Sequence, residues 1–233
     1  MDPLQKIEDR FPDWHYDHPR ILYALIRAMK PEVCVEVGTY RGYAACYIAE
    51  ALRKNGKGHL YCIDDWSLTE HQHIYGDAKD HFIGNITHCG YEDLITVIEG
   101  NSFDVDWPEK VDFAYIDGWH SYAMVTEDFK RAATQGATVM CFDDVIGTIG
   151  PRMLMDELRG SENWGVSIID SDGGLGIVTR MDTRRKVKFG QEFDMPNTGT
   201  QLHEMTKGQQ QDYFLEHHIP TKYLEETESN ENP

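Results

Sequence analysis

Positive charge is scarce in this chain. Its 233 residues carry 22 lysines and arginines against 40 aspartates and glutamates, a formal charge of -18 at pH 7. Nucleic acids are held by basic faces that neutralise phosphates, so no nucleic-acid partner is expected. The one locally basic stretch, Arg184-Arg185-Lys186-Val187-Lys188, is too short to reverse that. Long apolar runs are missing too. None nears the ~20 residues needed to span a bilayer, and Met1-Asp2-Pro3-Leu4 lacks the basic and apolar regions of a signal peptide. No membrane partner and a cytoplasmic location are therefore expected. Paired cysteine motifs are also absent. Cys34, Cys46, Cys62, Cys89 and Cys141 include no Cys-x-x-Cys, which argues against zinc and against a disulfide framework. Reduced, mostly buried thiols are expected instead.

What is present is an ordinary globular balance, with 40% hydrophobic and 11% aromatic residues. The spacing predicts helices over 19–30, 42–56, 78–90, 123–134 and 151–160. Apolar runs predict strands over 33–37, 59–64, 95–100, 111–117 and 137–144. Ser171-Asp172-Gly173-Gly174, between "WGVSIID" and "GLGIVTR", signals a closing hairpin. Alternating strands and helices imply an α/β fold: a Rossmann-like, doubly wound, mostly parallel seven-stranded sheet with a C-terminal antiparallel hairpin. The pattern decays past about Arg180. The expected division is a domain over 1–180, N-terminal helix included, and a C-terminal extension over 181–233 ending in an acidic tail. The polar, histidine-rich stretch 67–77 reads as a loop, and a solvated lid fits His71, His73, His81 and His88 better than a zinc site does.

The chemistry starts at "VCVEVGTYRGY". In a sheet of this kind ligands sit outside the carboxyl ends of the strands. Gly38 permits a tight turn after the first strand, and Gly42 opens the next helix. A dinucleotide loop needs Gly-x-Gly-x-x-Gly. Here Tyr40 stands where the second glycine belongs, which disfavours a nicotinamide cofactor. Glu36 would repel a pyrophosphate but could attract an ammonium group, and S-adenosylmethionine has such a group and no phosphate. Asp64 ends the second strand, where nucleotide-binding folds place an acid on the ribose hydroxyls. Asp65 is the alternative for that role, and either could simply cap the turn. Asn101 and Ser102, after the third strand, are positioned for an adenine edge, although both are common turn formers.

Asp117, Asp143 and Asp144 follow the fourth and fifth apolar runs. Three carboxylates at one crevice call for a cation, and oxygen ligands suit Mg²⁺ or another hard divalent ion. Helix capping and surface loops are the competing explanation. His120, three residues after Asp117, could take a proton from an acceptor hydroxyl, because its ordinary pKa lies near 6.5. A structural hydrogen-bonding role is the alternative.

In this order and spacing the motifs resemble class I S-adenosylmethionine-dependent methyltransferases, from about Val33 to Arg180. The resemblance is to metal-dependent O-methyltransferases of the catechol and macrocin types, and "IDGWHSY" is similar to a signature of methyltransferase family 24. It implies that Glu36, Gly38, Tyr40, Gly42, Asp64, Asn101, Ser102 and Asp117 bind the cofactor, that Asp117, Asp143 and Asp144 hold the metal, and that His120 is the catalytic base. The catechol enzyme has lysine at the position of His120 and asparagine at that of Asp144, so catechols are not implied as substrates. The activity implied is transfer of a methyl group to a hydroxyl of a small molecule, with Mg²⁺ positioning the acceptor. The chain could also pair as a homodimer. Two other readings stay open: a nicotinamide-dependent oxidoreductase, and a non-catalytic nucleoside-binding protein on the same fold.

Overall fold

The computed structural model describes residues 2–14, 16–67 and 77–181. The chain divides into two units, Met1–Thr183 and Arg184–Pro233, and the described residues all lie in the first. The basic stretch 184–188, the C-terminal extension, and His71 and His73 of the expected lid lie outside the described residues.

Seven strands make one sheet: β1 (Val33–Val37), β2 (His59–Asp64), β3 (Ile95–Glu99), β4 (Phe113–Ile116), β5 (Val139–Phe142), β6 (Trp164–Ile169) and β7 (Leu175–Arg180). Their spatial order is β3-β2-β1-β4-β5-β7-β6. The first five run parallel, and the closing hairpin adds β7 antiparallel to β5 with β6 outside it. This is the sheet expected from the sequence. The chain order reverses between β1 and β4, so the crevice belongs there.

Helices α1 (Pro3–Arg10), α2 (His18–Met29), α3 (Tyr43–Asn55) and α4 (Ala78–Cys89) bring their apolar residues to one core. Helices α5 (Tyr122–Thr134) and α6 (Ile149–Arg159) bring theirs to a second. Strand alternation divides β1 between them: Cys34 packs in the first core, Val35 and Val37 in the second. Each fully buried Leu, Ile or Phe contributes about 1.5–3 kcal/mol, and Leu22, Ile26, Leu52, Phe82, Phe113 and Phe142 are all at 0% exposure. The five cysteines are buried and none is in a disulfide.

The sequence reading passed over α1, although its signals are present. Asp2 caps it by accepting from the Leu4 N–H, Pro3 opens it, and Ile7 and Phe11 meet the core. Helix α2 stops one residue early, at Met29, because Lys30 turns left-handed ahead of Pro31. Strands β4 and β5 are shorter than their apolar runs. The first of these strands starts only at Phe113, and just before it the Asp112 carboxylate accepts from the Glu32 and Val33 N–H groups.

Candidate active site

Four backbone hydrogen bonds continue the ladder just past the strands. Gly38 N–H donates to the Ile63 carbonyl (2.9 Å), Gly100 to Asp64 (2.9 Å), Asp117 to Val37 (2.8 Å) and Asp143 to Ile116 (3.0 Å). The loops after β1 to β5 are thus held at one level. Above them lies a cleft of about 820 Å³, within the roughly 300–1,000 Å³ usual for small-molecule sites. Its walls include Glu36, Gly38, Tyr40, Asp64, Asn101, Ser102, Asp117, His120, Asp143 and Asp144. Residues up to 108 apart in sequence are brought together as the motifs implied.

Gly42 is the exception. It does not line the cleft. A Cβ there would lie 2.5 Å from the Phe82 ring, and its φ of +82° is left-handed. The close packing of α4 on the start of α3 requires a glycine there. Gly38 answers to a different neighbour. With φ +82°, its missing Cβ would sit 2.1 Å from the Asp117 carbonyl oxygen. The first loop can cross the end of β4 only without a side chain.

Asp64 organises the glycine loop. One carboxylate oxygen accepts from the Tyr40 N–H and the other from the Trp66 N–H, both at 2.7 Å. Burial pushes its carboxyl up, against these backbone N–H groups, which pull it down. A carboxylate has about four acceptor sites, so room remains for ribose hydroxyls. Asp65 instead accepts from the Ser67 N–H at 2.9 Å, the capping geometry. Tyr40 stacks on Trp14, 5.7 Å between centroids, and both rings face the cleft. Glu36 is 1% exposed. Its carboxylate accepts from the Thr39 hydroxyl and the Cys62 thiol, and burial pushes it up to about 7. Asn101 accepts from the Phe103 N–H at 3.0 Å, an Asx turn.

At the other end are the acids. Tyr115 donates to Asp117 at 3.3 Å. Burial, then the charge of Asp143, holds the Asp117 carboxyl well above the usual carboxylate range. Burial and Asp143 also raise Asp144. His120 is about one-third exposed; its Nδ1 lies 3.4 Å from Asp144 and its Nε2 3.7 Å from Asp117. Nε2 has no hydrogen-bond partner. The Asp117 carboxylate, against burial and with help from Asp144 and Asp143, raises the imidazole above its ordinary value.

His18, at the start of α2, was not anticipated. It is buried at 3% exposure. Its Nδ1 pairs with Asp143 Oδ1, and its Nε2 faces the Ser171 carbonyl and hydroxyl at 2.9 and 3.1 Å. Burial opposes the imidazolium, but the Asp143 carboxylate outweighs it and the pKa rises. A histidine before a proline carries no local sign of a partner 125 residues away. Trp14 was missed for the same reason.

The expected metal site is not shown. Among the described residues, no group of three or more histidine, cysteine, aspartate or glutamate side chains could hold a metal ion. Asp117, Asp143 and Asp144 reach the same crevice, but His18 occupies Asp143, and His120 stands between Asp117 and Asp144.

Comparisons with known proteins agree with this architecture. The family model described as a methyltransferase domain matches residues 35–145, from inside β1 to just past the double aspartate. Among solved structures, the chain is similar to the O-methyltransferase from Bacillus cereus crystallised with SAH (TM-score 0.61, 16% identity, covering 76% of this chain and 91% of that one). It is also similar to the O-methyltransferase TomG from Streptomyces achromogenes, involved in tomaymycin synthesis and solved with SAM (0.60, 17%, 78% and 90%). A third is the SAH-bound Podospora anserina methyltransferase PaMTH1 (0.60, 13%, 78% and 89%). At such identities these likenesses show a shared fold. A curated relative, the uncharacterized protein y4gI of Sinorhizobium fredii, is 26% identical over 110 residues, and that match takes in 46% of this chain and 12% of the relative.

Proposed function

We propose, from the match of residues 35–145 to the family model described as a methyltransferase domain, that the chain methylates a hydroxyl of a small molecule, with His120 as general base. The observation that carries this reading is the placement of His120 in the cleft wall, with Nε2 3.7 Å from Asp117 and Nδ1 3.4 Å from Asp144. A histidine held between two carboxylates at the cleft wall is placed to take a proton from an acceptor hydroxyl.

The residues present fit S-adenosylmethionine. Asp64, fixed by two backbone N–H groups, offers its remaining lone pairs to ribose hydroxyls. Glu36 lines the cleft and, when ionised, attracts an ammonium group. Gly38 keeps the loop low enough to leave the cleft open. When bound, this cofactor supplies an activated sulfonium methyl group. The chain's own work is alignment and deprotonation: the cleft walls position the acceptor oxygen, and its proton passes to the His120 imidazole. The Mg²⁺ expectation does not fit the donor arrangement, and no step is assigned to a metal.

The test is methyl transfer from labelled S-adenosylmethionine to a panel of hydroxylated metabolites, beside calorimetry with S-adenosylmethionine and with NAD. Binding of NAD and not of S-adenosylmethionine would favour the oxidoreductase reading. Cofactor binding without transfer to any acceptor would favour the non-catalytic one.

A further inference from the structure

Asp117, Asp143 and Asp144 share one end of the cleft wall with two imidazoles, His18 and His120. Like charges in one crevice repel, so where each carboxylate rests depends on the donors that hold it. Asp117 and Asp144 stand on either side of His120, 3.7 Å from its Nε2 and 3.4 Å from its Nδ1. Asp143, next to Asp144 in sequence, is paired with His18.

His18 comes from the start of α2, 125 residues away, and is 3% exposed. Both of its ring nitrogens are engaged. A carboxylate only accepts, so Nδ1 carries a proton and donates it to Asp143 Oδ1. Nε2 lies 2.9 Å from the Ser171 carbonyl and 3.1 Å from the Ser171 hydroxyl. Beside it, the Asp17 N–H donates to Asp172 Oδ2 at 2.7 Å. Residues 17 and 18 thus fasten the start of α2 to the turn between β6 and β7. That turn is fixed in its own right to the loop after β5. The Gly173 carbonyl accepts from the Ile146 and Gly147 N–H groups, both at 2.8 Å, and the Gly174 carbonyl from Val145 at 3.0 Å. A buried ring anchored to the turn on one side holds Asp143 in one place on the other.

We infer that His18 is a positioning residue: it holds Asp143 toward α2 and off His120, so that the base stays between Asp117 and Asp144. The inference rests on the reading that His120 is the base of a methyl transfer. Without the His18 donor, a third carboxylate is free to draw the His120 ring away from the place where it meets the acceptor. The test compares His18→Phe, which keeps a buried ring and removes both polar contacts, with the double variant His18→Phe/Asp143→Asn. The readouts are turnover of the acceptor found in the panel of hydroxylated metabolites and calorimetry with S-adenosylhomocysteine. His18→Phe should lower kcat about 30-fold or more and leave S-adenosylhomocysteine affinity within about threefold. Neutralising Asp143 removes the charge that competes for His120. The double variant should therefore recover kcat to within about fivefold of wild type, a coupling that a ring serving only to pack would not show. A double variant no faster than His18→Phe overturns the inference, and so does His18→Phe with the kcat of the wild type. Should His18→Phe not fold, His18→Gln takes its place with the same expectations, because its amide overlies Nε2 and leaves Asp143 without a donor. A wild type that transfers methyl to no acceptor in the panel defeats the reading of His120 as base, and this inference with it.

Discussion

At the scale of the residue, the site depends on how burial and neighbouring charge set proton affinities. His120 must be neutral to accept a proton, and its pKa lies above 6.5. Turnover should therefore rise with pH through a midpoint above 6.5, as the imidazolium gives up its proton. His120→Ala should lower turnover about 10²–10⁴-fold and leave cofactor affinity nearly unchanged. Steady-state rates and calorimetry on the same variant separate this from a binding role, in which acceptor affinity falls and turnover stays. Glu36 gives a stability prediction with a definite sign. Its folded carboxyl keeps a proton to about pH 7, whereas in the unfolded chain it loses it near 4.3. The folded state binds more protons across that window, so stability falls as pH rises from about 4.3 to about 7. Glu36→Gln should then stabilise the chain by on the order of 1–3 kcal/mol at pH 8 and little at pH 4. Urea denaturation at the two values checks it, and a gain of equal size at both would refute the linkage. The histidine pairing of the acids adds a third expectation. Because His18 already engages Asp143, excess chelator should leave turnover within about twofold, an ordinary scatter beside the 10²–10⁴ of a lost base. Loss of activity restored by Mg²⁺ would mean that His18 gives way to the ion.

At the scale of the element, the loop after β1 is the critical piece. Gly38 and Gly56 both have positive φ, +82° and +69°, but a Cβ at Gly38 meets the Asp117 carbonyl at 2.1 Å whereas one at Gly56 meets nothing within 4 Å. Gly56→Ala should cost only the left-handed penalty of about 1–2 kcal/mol. Gly38→Ala should cost more than that, and should weaken cofactor binding because the β1 loop must lift from β4. Denaturant midpoints and calorimetry for the pair give the comparison, and equal costs would mean that the crossing of the two loops is not tight. Most elements were legible from sequence: β1, β2 and the closing hairpin stand where apolar runs and the Ser171–Gly174 turn put them. Helix α1 was legible but passed over. The start of β4 was not: just before it the Asp112 carboxylate reaches backbone N–H groups some 80 residues away.

At the scale of the whole molecule, charge dominates. A formal charge of -18 repels itself in the compact state, and salt screens that repulsion. The thermal midpoint should therefore rise between low salt and about 0.5 M, where the Debye length falls to roughly 4 Å. A midpoint that falls would point to attractive pairs, such as Arg20–Glu8 and Lys79–Glu99, as the larger effect. Among the described residues, no helix is long and apolar enough to cross a membrane.

The sequence by itself determined the α/β sheet, the glycine loop and the acids at the strand ends. These follow from local rules: period-two and period-3.6 patterning, and side chains placed where apolar runs stop. Tertiary structure alone decided which of those side chains meet. It turned Gly42 away from the cleft toward Phe82 and joined His18 to Asp143 across 125 residues. Such pairings depend on how helices from distant parts of the chain settle on the sheet. No periodicity in a single segment records that, and so the histidine–aspartate contacts beside the strand-end acids were not legible in the sequence.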